Sequence, residues 1–376
     1  MNSIVSSSLG YPRIGADREW KKALEQHWAG KIGEEELAAR MEAIRLGHLR
    51  TQRDKGIDLI PVGDFSLYDH VLDTAAQFGV VPARFGHAGG PVPLSVYFAM
   101  ARGTKGATAC EMTKWFNTNY HYIVPELNDA APELVENRPL QAYREAKAKL
   151  GIEGKPVVLG LYTFLKLSKG YRPERIDSLV ETFLPAYTQL IRELDREGVQ
   201  WTQIDEPILA ASPSKDEMKR IAAMYGEIRR ASPRMKLMLQ TYFDGVRHYE
   251  ETVGLPVDGI GLDFVHGGER NRAGLEAFGF PANKSLGVGL IDGRNIWRAD
   301  LGSKLALLES LTARVPSGRI IVQPSCSLLH VPVTAARENG LDPALRQALA
   351  FADEKLEETA CLARALREGK AAVAVP

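Results

Sequence analysis

The chain has 376 residues, 45% hydrophobic and 25% charged, enough to bury the core of one large α/β barrel or of two small domains. Forty-seven basic residues offset forty-seven acidic ones, so no global field draws the molecule to nucleic acid or a membrane surface, and a charged partner must be met by a local patch. No apolar segment reaches the roughly 18 residues of a membrane span and the opening MNSIVSSSLGYPRIG lacks a signal-peptide pattern, so a cytoplasmic protein is expected.

The first apolar run, IVSSSLGYP, reads as a strand that leads into LGYPRIG. Two amphipathic helices follow. One is capped by Asp17, carries Trp20, Ala23, Leu24, His27 and Trp28 on one face and stops before Gly30; the other runs from about Glu34 to Lys55 with Leu37, Met41, Ile44 and His48 in register. They form a helical hairpin ahead of the second strand, GIDLIPVGDF. Arg13, Arg18, Lys21 and Lys22 gather around the start of the first helix, where N–H groups and cations point the same way and suit a polyanion. A solvated helix face is the competing reading of the same residues.

Residues 85–137 are rich in Gly, Asn, Thr, Tyr and Pro where a barrel needs only a short connection, so an irregular insert with a functional role is expected. Within it, EMTKWFNTNYHY sets Trp115, Phe116, Tyr120, His121 and Tyr122 among polar groups. Such rings either pack on a barrel mouth or stack on a ligand. Lys114, a cation beside them, is singled out as a partner for a carboxylate or a conjugated ring, with Arg13, Asn117, Asn119 and His121 as further candidate contacts at the mouth.

Downstream, KPVVLGLYTF, VQWTQIDEPIL, MKLMLQTYF, GIGLDFV, SLGVGLIDG and GRIIVQPSCSLL alternate with helical segments. One of these, Asp177 to Glu197, contains Pro185 and should bend there. With the first two runs this makes eight strands, several ending in Gly, Asp or Pro, which favours a closed (β/α)8 TIM-like barrel, one domain over 1–376, above an open doubly wound sheet. Asp205 and Glu206 close the QIDEP strand at the end where barrel active sites lie. They suit an amino group or a cation, or else a helix cap. Cys110, Cys326 and Cys361 form no C-x-x-C pair and read as reduced thiols. Cys326 and His330 stand four apart, but no H-x-C motif or second cysteine lies near, which leaves a buried small residue as the simpler reading of Cys326.

LGYPRIG, GIDLIPVGDFSLYDHVLDTA, EMTKWFNTNYHYIVPE, QIDEPIL, LIDGRNIWRADL and PSCSLLH run in order from Leu9 to His330 and together closely resemble the amino-terminal domain of cobalamin-independent methionine synthase. That family moves a methyl group from 5-methyltetrahydropteroyl-polyglutamate to homocysteine, using two similar barrels with the active site between them. The resemblance implies that this chain is the first, folate-binding barrel, and that Arg18, Glu19, Trp20, Lys21 and Lys114 match the positions that contact the donor. The family's zinc ligands, a His-x-Cys pair, a Glu and a distant Cys, belong to the second barrel. The equivalent strands here offer Leu239, Gln240, Thr241 and Asp263, and only Cys326 matches a ligand position. The resemblance therefore implies no metal, no cofactor and no catalytic residue in this chain, with turnover only beside a zinc-bearing carboxy-terminal barrel in cis or in trans. The alternative is a stand-alone, non-catalytic barrel that binds folylpolyglutamate or a protein. A metal-free lyase or decarboxylase rests on fold analogy alone.

Overall fold

The computed structural model describes residues 4–128 and 130–370. All eight apolar runs supply strands of one parallel sheet, in the order β1 (Val5–Ser6), β10 (Ile320–Pro324), β9 (Ser285–Ile291), β8 (Gly259–Asp263), β7 (Lys236–Gln240), β6 (Trp201–Asp205), β5 (Lys155–Leu159) and β2 (Pro61–Val62). A parallel bridge from Ser7 to Leu59 brings the two ends of this order together and closes the barrel. Each strand is buried on both faces, which is why the runs are apolar without alternation.

The barrel interior departs from the usual layers of branched apolar side chains. Gly261 and Gly287 leave room that other side chains fill. A Cβ at Gly261 would lie 1.7 Å from Gln240 Oε1, and one at Gly287 would lie 2.6 Å from Met238 Cε. Into this space Gln240 and Gln323 project and exchange amide hydrogen bonds of 3.1 and 2.8 Å. Lys155, 2% exposed, enters the same interior and donates to Ser7 Oγ (2.9 Å), Ser8 O (3.1 Å) and Gln203 Oε1 (2.6 Å). A buried polar group costs free energy unless it is bonded, and here each one is.

The helical hairpin forms as expected, from Glu19–Trp28 and Glu34–Asp54. Its first cap does not. Asp17 is exposed and pairs with Arg337 at 3.0 Å, while Arg18 occupies the cap position at φ 61°. Glu19 does the capping in reverse, its carboxylate accepting from the Asp17 N–H at 3.0 Å. The helix Ile176–Glu197 runs through Pro185 without a break. The insert is more regular than expected: it holds a helix, Leu94–Arg102, and an antiparallel hairpin of β3 (Met112–Lys114) and β4 (His121–Ile123). Asp69, fully buried, fastens that hairpin. One carboxylate oxygen caps the helix His70–Gln77 through the N–H groups of Val71 and Leu72 (2.8 Å each), and the other accepts from the Ile123 N–H (3.0 Å). No described helix is long and apolar enough to cross a membrane.

Candidate functional site

A cavity of about 440 Å³ opens at the carboxyl ends of the strands, walled by Asp64, His70, Trp115, Asp205, Tyr242 and His330. Asp64, Tyr242 and His330 follow strands, Asp205 ends β6, His70 opens the helix His70–Gln77 and Trp115 comes from the insert, so the wall gathers at the end of the barrel that is left free for chemistry. Asp64 accepts from the Tyr11 N–H at 2.9 Å and Asp205 accepts from Gln203 at 2.8 Å. Burial raises the Asp64 carboxyl to about 6 and Asp205 to about 7, against a smaller opposing pull from Lys155. Burial in turn lowers Lys155 to about 7, with Asp205 and Asp64 pulling it back up. Burial also pushes His70 down to about 3 and His330 to about 4, helped by the nearby cations Arg13 and Arg294 respectively, so both imidazoles are neutral. The pocket combines the rings of His70, Trp115, Tyr242 and His330 with two carboxyls, Asp64 and Asp205, whose protonation burial favours.

The two carboxylates expected together part company. Asp205 lines the cavity, whereas Glu206 is fully buried in the barrel wall, accepting from the Thr163 N–H and Oγ1 (2.5 Å each) and from the Tyr225 hydroxyl (2.9 Å). Glu206 is thus no mouth contact; successive residues of a strand point to opposite faces, and only one of the pair faces the lumen. Nor does it cap the following long helix, Lys215–Ala231, which takes its cap from Ser214.

Arg13 is an anchor rather than a free cation. Its guanidinium donates to Ser66 Oγ (3.0 Å), the Tyr120 hydroxyl (2.7 Å) and Tyr68 O (2.5 Å), and it lies 4.8 Å from the Trp20 ring centre and 5.1 Å from that of Tyr120. Arg13 thereby holds the start of the first helix against the β3–β4 hairpin, and two segments a hundred residues apart share one rim. Trp20 is fixed there by its indole N–H to Ser66 O at 3.1 Å. Arg18, Glu19 and Lys21 are exposed, with Lys21 only 3.7 Å from Glu25. Lys114 and His121 pair across the hairpin, both exposed. At its tip Asn119 is exposed and Asn117 accepts twice from Arg294.

The strand positions that correspond to the family's zinc ligands are otherwise engaged. Gln240 pairs with Gln323, Thr241 Oγ1 donates to Gly261 O at 2.8 Å, and Leu239 is buried. Asp263 accepts from the N–H groups of Val265 and His266 at 2.8 Å. Cys326 is fully buried, and burial pushes its thiol well up. Among the described residues no group of three or more His, Cys, Asp or Glu is placed to hold a metal ion. Reading the sequence did not single out Asp64, His70, Tyr242, Phe243 or Lys155. The signal available for Asp64, Tyr242 and Phe243 was their place two or three residues past a strand.

Eight parallel strands closed on themselves, with a ring-lined cavity at their carboxyl ends, define a (β/α)8 barrel with a ligand-sized mouth. Residues 5–316 match the family described as "Cobalamin-independent synthase, N-terminal domain", and the chain belongs to that family. It is 57% identical over 355 residues to the 5-methyltetrahydropteroyltriglutamate–homocysteine methyltransferase of Halalkalibacterium halodurans, covering 94% of this chain and 47% of the relative. The Listeria innocua protein of the same name is 54% identical over 374 residues, covering 100% of this chain and 49% of the relative. The chain thus spans about half the length of the curated relatives it matches. A B12-independent methionine synthase from Shewanella sp. W3-18-1 shares the fold with a TM-score of 0.67 at 15% identity over 99% of both chains. A putative vitamin-B12 independent methionine synthase from Listeria monocytogenes does so at 0.61 and 15% over 96% of both. At that identity these two structures speak for the fold alone.

Proposed function

We propose that this chain is the folate-binding half of a methyltransferase that carries a methyl group from 5-methyltetrahydropteroyl-polyglutamate to homocysteine, and that it turns over only beside a zinc-bearing carboxy-terminal barrel, in cis or in trans, within the cytoplasm. In this reading residues 1–376 act as one amino-terminal barrel with no cofactor of its own. The observation that carries it is the shared rim. Arg13 draws the Arg18–Lys21 segment and the Lys114 hairpin together over the mouth, leaving Arg18, Lys21 and Lys114 exposed, and among the described residues only Lys21 of these three pairs with an acid, at 3.7 Å. A flexible glutamate tail is a polyanion that such a rim attracts through screened Coulomb forces. Zinc activation of the thiol then falls to the other half, since the corresponding side chains here are spent on hydrogen bonds or buried.

Mixing the chain with a zinc-loaded carboxy-terminal half should restore homocysteine-dependent demethylation of the folate. The reading fails if the mixture is inactive and the chain binds no folylpolyglutamate. Lys21→Ala and Lys114→Ala should each weaken polyglutamate binding by roughly 0.5–1 kcal/mol and flatten its salt dependence. Affinity and slope unchanged in both variants would remove these residues from the site.

A further inference from the structure

Among the half-buried arginines Arg294, like Arg13 and Arg319, is bonded only to neutral groups, and of these three it lines a recess at the mouth. Arg45, Arg138 and Arg229 each pair with a carboxylate, at 2.6, 3.0 and 2.5 Å. Arg294 has only neutral partners among the described residues: its two terminal nitrogens donate to Asn117 Oδ1 (3.1 Å) and Asn117 O (3.0 Å), and its guanidinium lies 5.1 Å from the Phe243 ring centre. The acid on its own turn, Asp292, is held by the N–H groups of Arg294 and Asn295 (2.8 and 3.3 Å) and by the Asn295 amide (2.8 Å). The fork is therefore fixed while its remaining N–H groups have no hydrogen-bond partner among the described residues.

Beside it a recess of about 320 Å³ opens between Asn117, Asn119, Tyr120, Arg294 and His330. Two of its lining side chains are rings, Tyr120 and His330, 6.2 Å apart, and Phe243 lies 5.5 Å from His330. Phe116 and Phe243 touch at 5.9 Å, both with positive φ, 49° and 79°. Left-handed backbone costs about 1–3 kcal/mol at a bulky residue and persists where the surroundings enforce it, which happens most at ligand sites.

We propose that this recess is a binding subsite for an aroyl-amino acid, whose α-carboxylate is one amide linkage away from a flat ring, with Arg294 as the anion's partner and Tyr120 and His330 as the ring's platform. A single planar cation beside two rings suits one carboxylate close to a flat ring system; a phosphate or a longer polyanion needs the several exposed cations that lie elsewhere on the rim. The proposal rests on the folate reading and deepens it: Arg294 takes the carboxylate nearest the aminobenzoyl ring, while Lys21 and Lys114 take those further along the tail.

Equilibrium binding of 4-aminobenzoyl-L-glutamate, of 5-methyltetrahydropteroyl-monoglutamate and of the triglutamate tests this in the full chain. Arg294→Gln should weaken all three by a similar factor, about tenfold, and Arg294→Lys should recover part of the loss. Lys21→Gln should matter only for the triglutamate. Equal binding of the benzoyl fragment by wild type and Arg294→Gln overturns the subsite, as does a wild type that does not bind the fragment. Fragment binding that depends on Arg294 but gains nothing from the pterin keeps the subsite and overturns the folate reading. Should Arg294→Gln not fold, Arg294→Lys decides: it keeps the charge and loses the planar fork, so severalfold weaker binding is the supporting result and unchanged binding the contrary one.

Discussion

Burial raises the Asp205 carboxyl from its ordinary value near 4 to about 7, so between those pH values the native protein holds a proton that the unfolded chain has released. The stability this group contributes is fully present below about pH 4 and is lost as pH rises through about 7. Lys155 acts in the opposite sense. Its folded value, lowered to about 7, means that its protonation opposes folding below that pH and that the penalty is relieved as pH rises toward 10.5. Asp205→Asn keeps an oxygen for Gln203 and removes the ionisation. It should flatten the decline in stability between pH 4 and 7 and leave the variant about 1–2 kcal/mol more stable at pH 8, read from urea midpoints. Midpoints that track wild type across that range would mean that Asp205 is not desolvated as described. Such a stabilising substitution marks a carboxylate kept for binding rather than for folding. One half of this arrangement was legible in the sequence, since the QIDEP strand places Asp205 at the barrel mouth, and the other, Lys155, was not. KPVVL reads as an apolar strand, and the groups that satisfy its lysine, Ser7 and Gln203, lie 148 and 48 residues away.

At the scale of elements, the barrel strands were legible and the hairpin was not, for the same reason. A strand buried on both faces writes its own apolar run, whereas β3 and β4 are three residues each, with Met112, Lys114 and His121 exposed, and are held by partners far off in the chain. Those partners are Asp69, 54 residues before Ile123, and Arg294, 177 residues after Asn117. Asp69→Asn separates the two tasks of that side chain. An amide oxygen still caps Val71 and Leu72, but its NH₂ group then faces the Ile123 N–H, donor against donor. The expected cost is about 1–3 kcal/mol from the broken buried bond. Amide exchange should quicken in 112–123 while His70–Gln77 stays protected; equal protection of the hairpin in both proteins would show that Asp69 does not fasten it.

At the scale of the molecule, the relatives are about twice as long as this chain, and the described surface carries large exposed apolar side chains on the segments that follow β9 and β10, one of them on the short helix Pro343–Ala348. They are Ile296 (37% exposed), Trp297 (49%), Leu341 (37%) and Leu345 (41%). A Trp297–Leu349 bridge and the Arg298 N–H to Ala348 O bond (2.8 Å) set these segments side by side on the mouth face. An apolar cluster on the same face as the cavity suits a partner that also reaches the ligand, and under the proposed function that partner is the zinc-bearing barrel. Trp297→Ser tests this without disturbing the fold, because the loop is held through backbone: Trp297 O accepts from Lys355 at 3.1 Å and the bridge to Leu349 needs no indole. The variant should melt like wild type yet bind the carboxy-terminal half about tenfold or more weakly, since a tryptophan at the centre of an interface commonly carries 2 kcal/mol or so. Turnover of the mixture should fall at limiting partner and recover at excess, because the cavity and its rim are untouched. A loss of turnover that excess partner does not restore would place Trp297 in the ligand site instead of the interface.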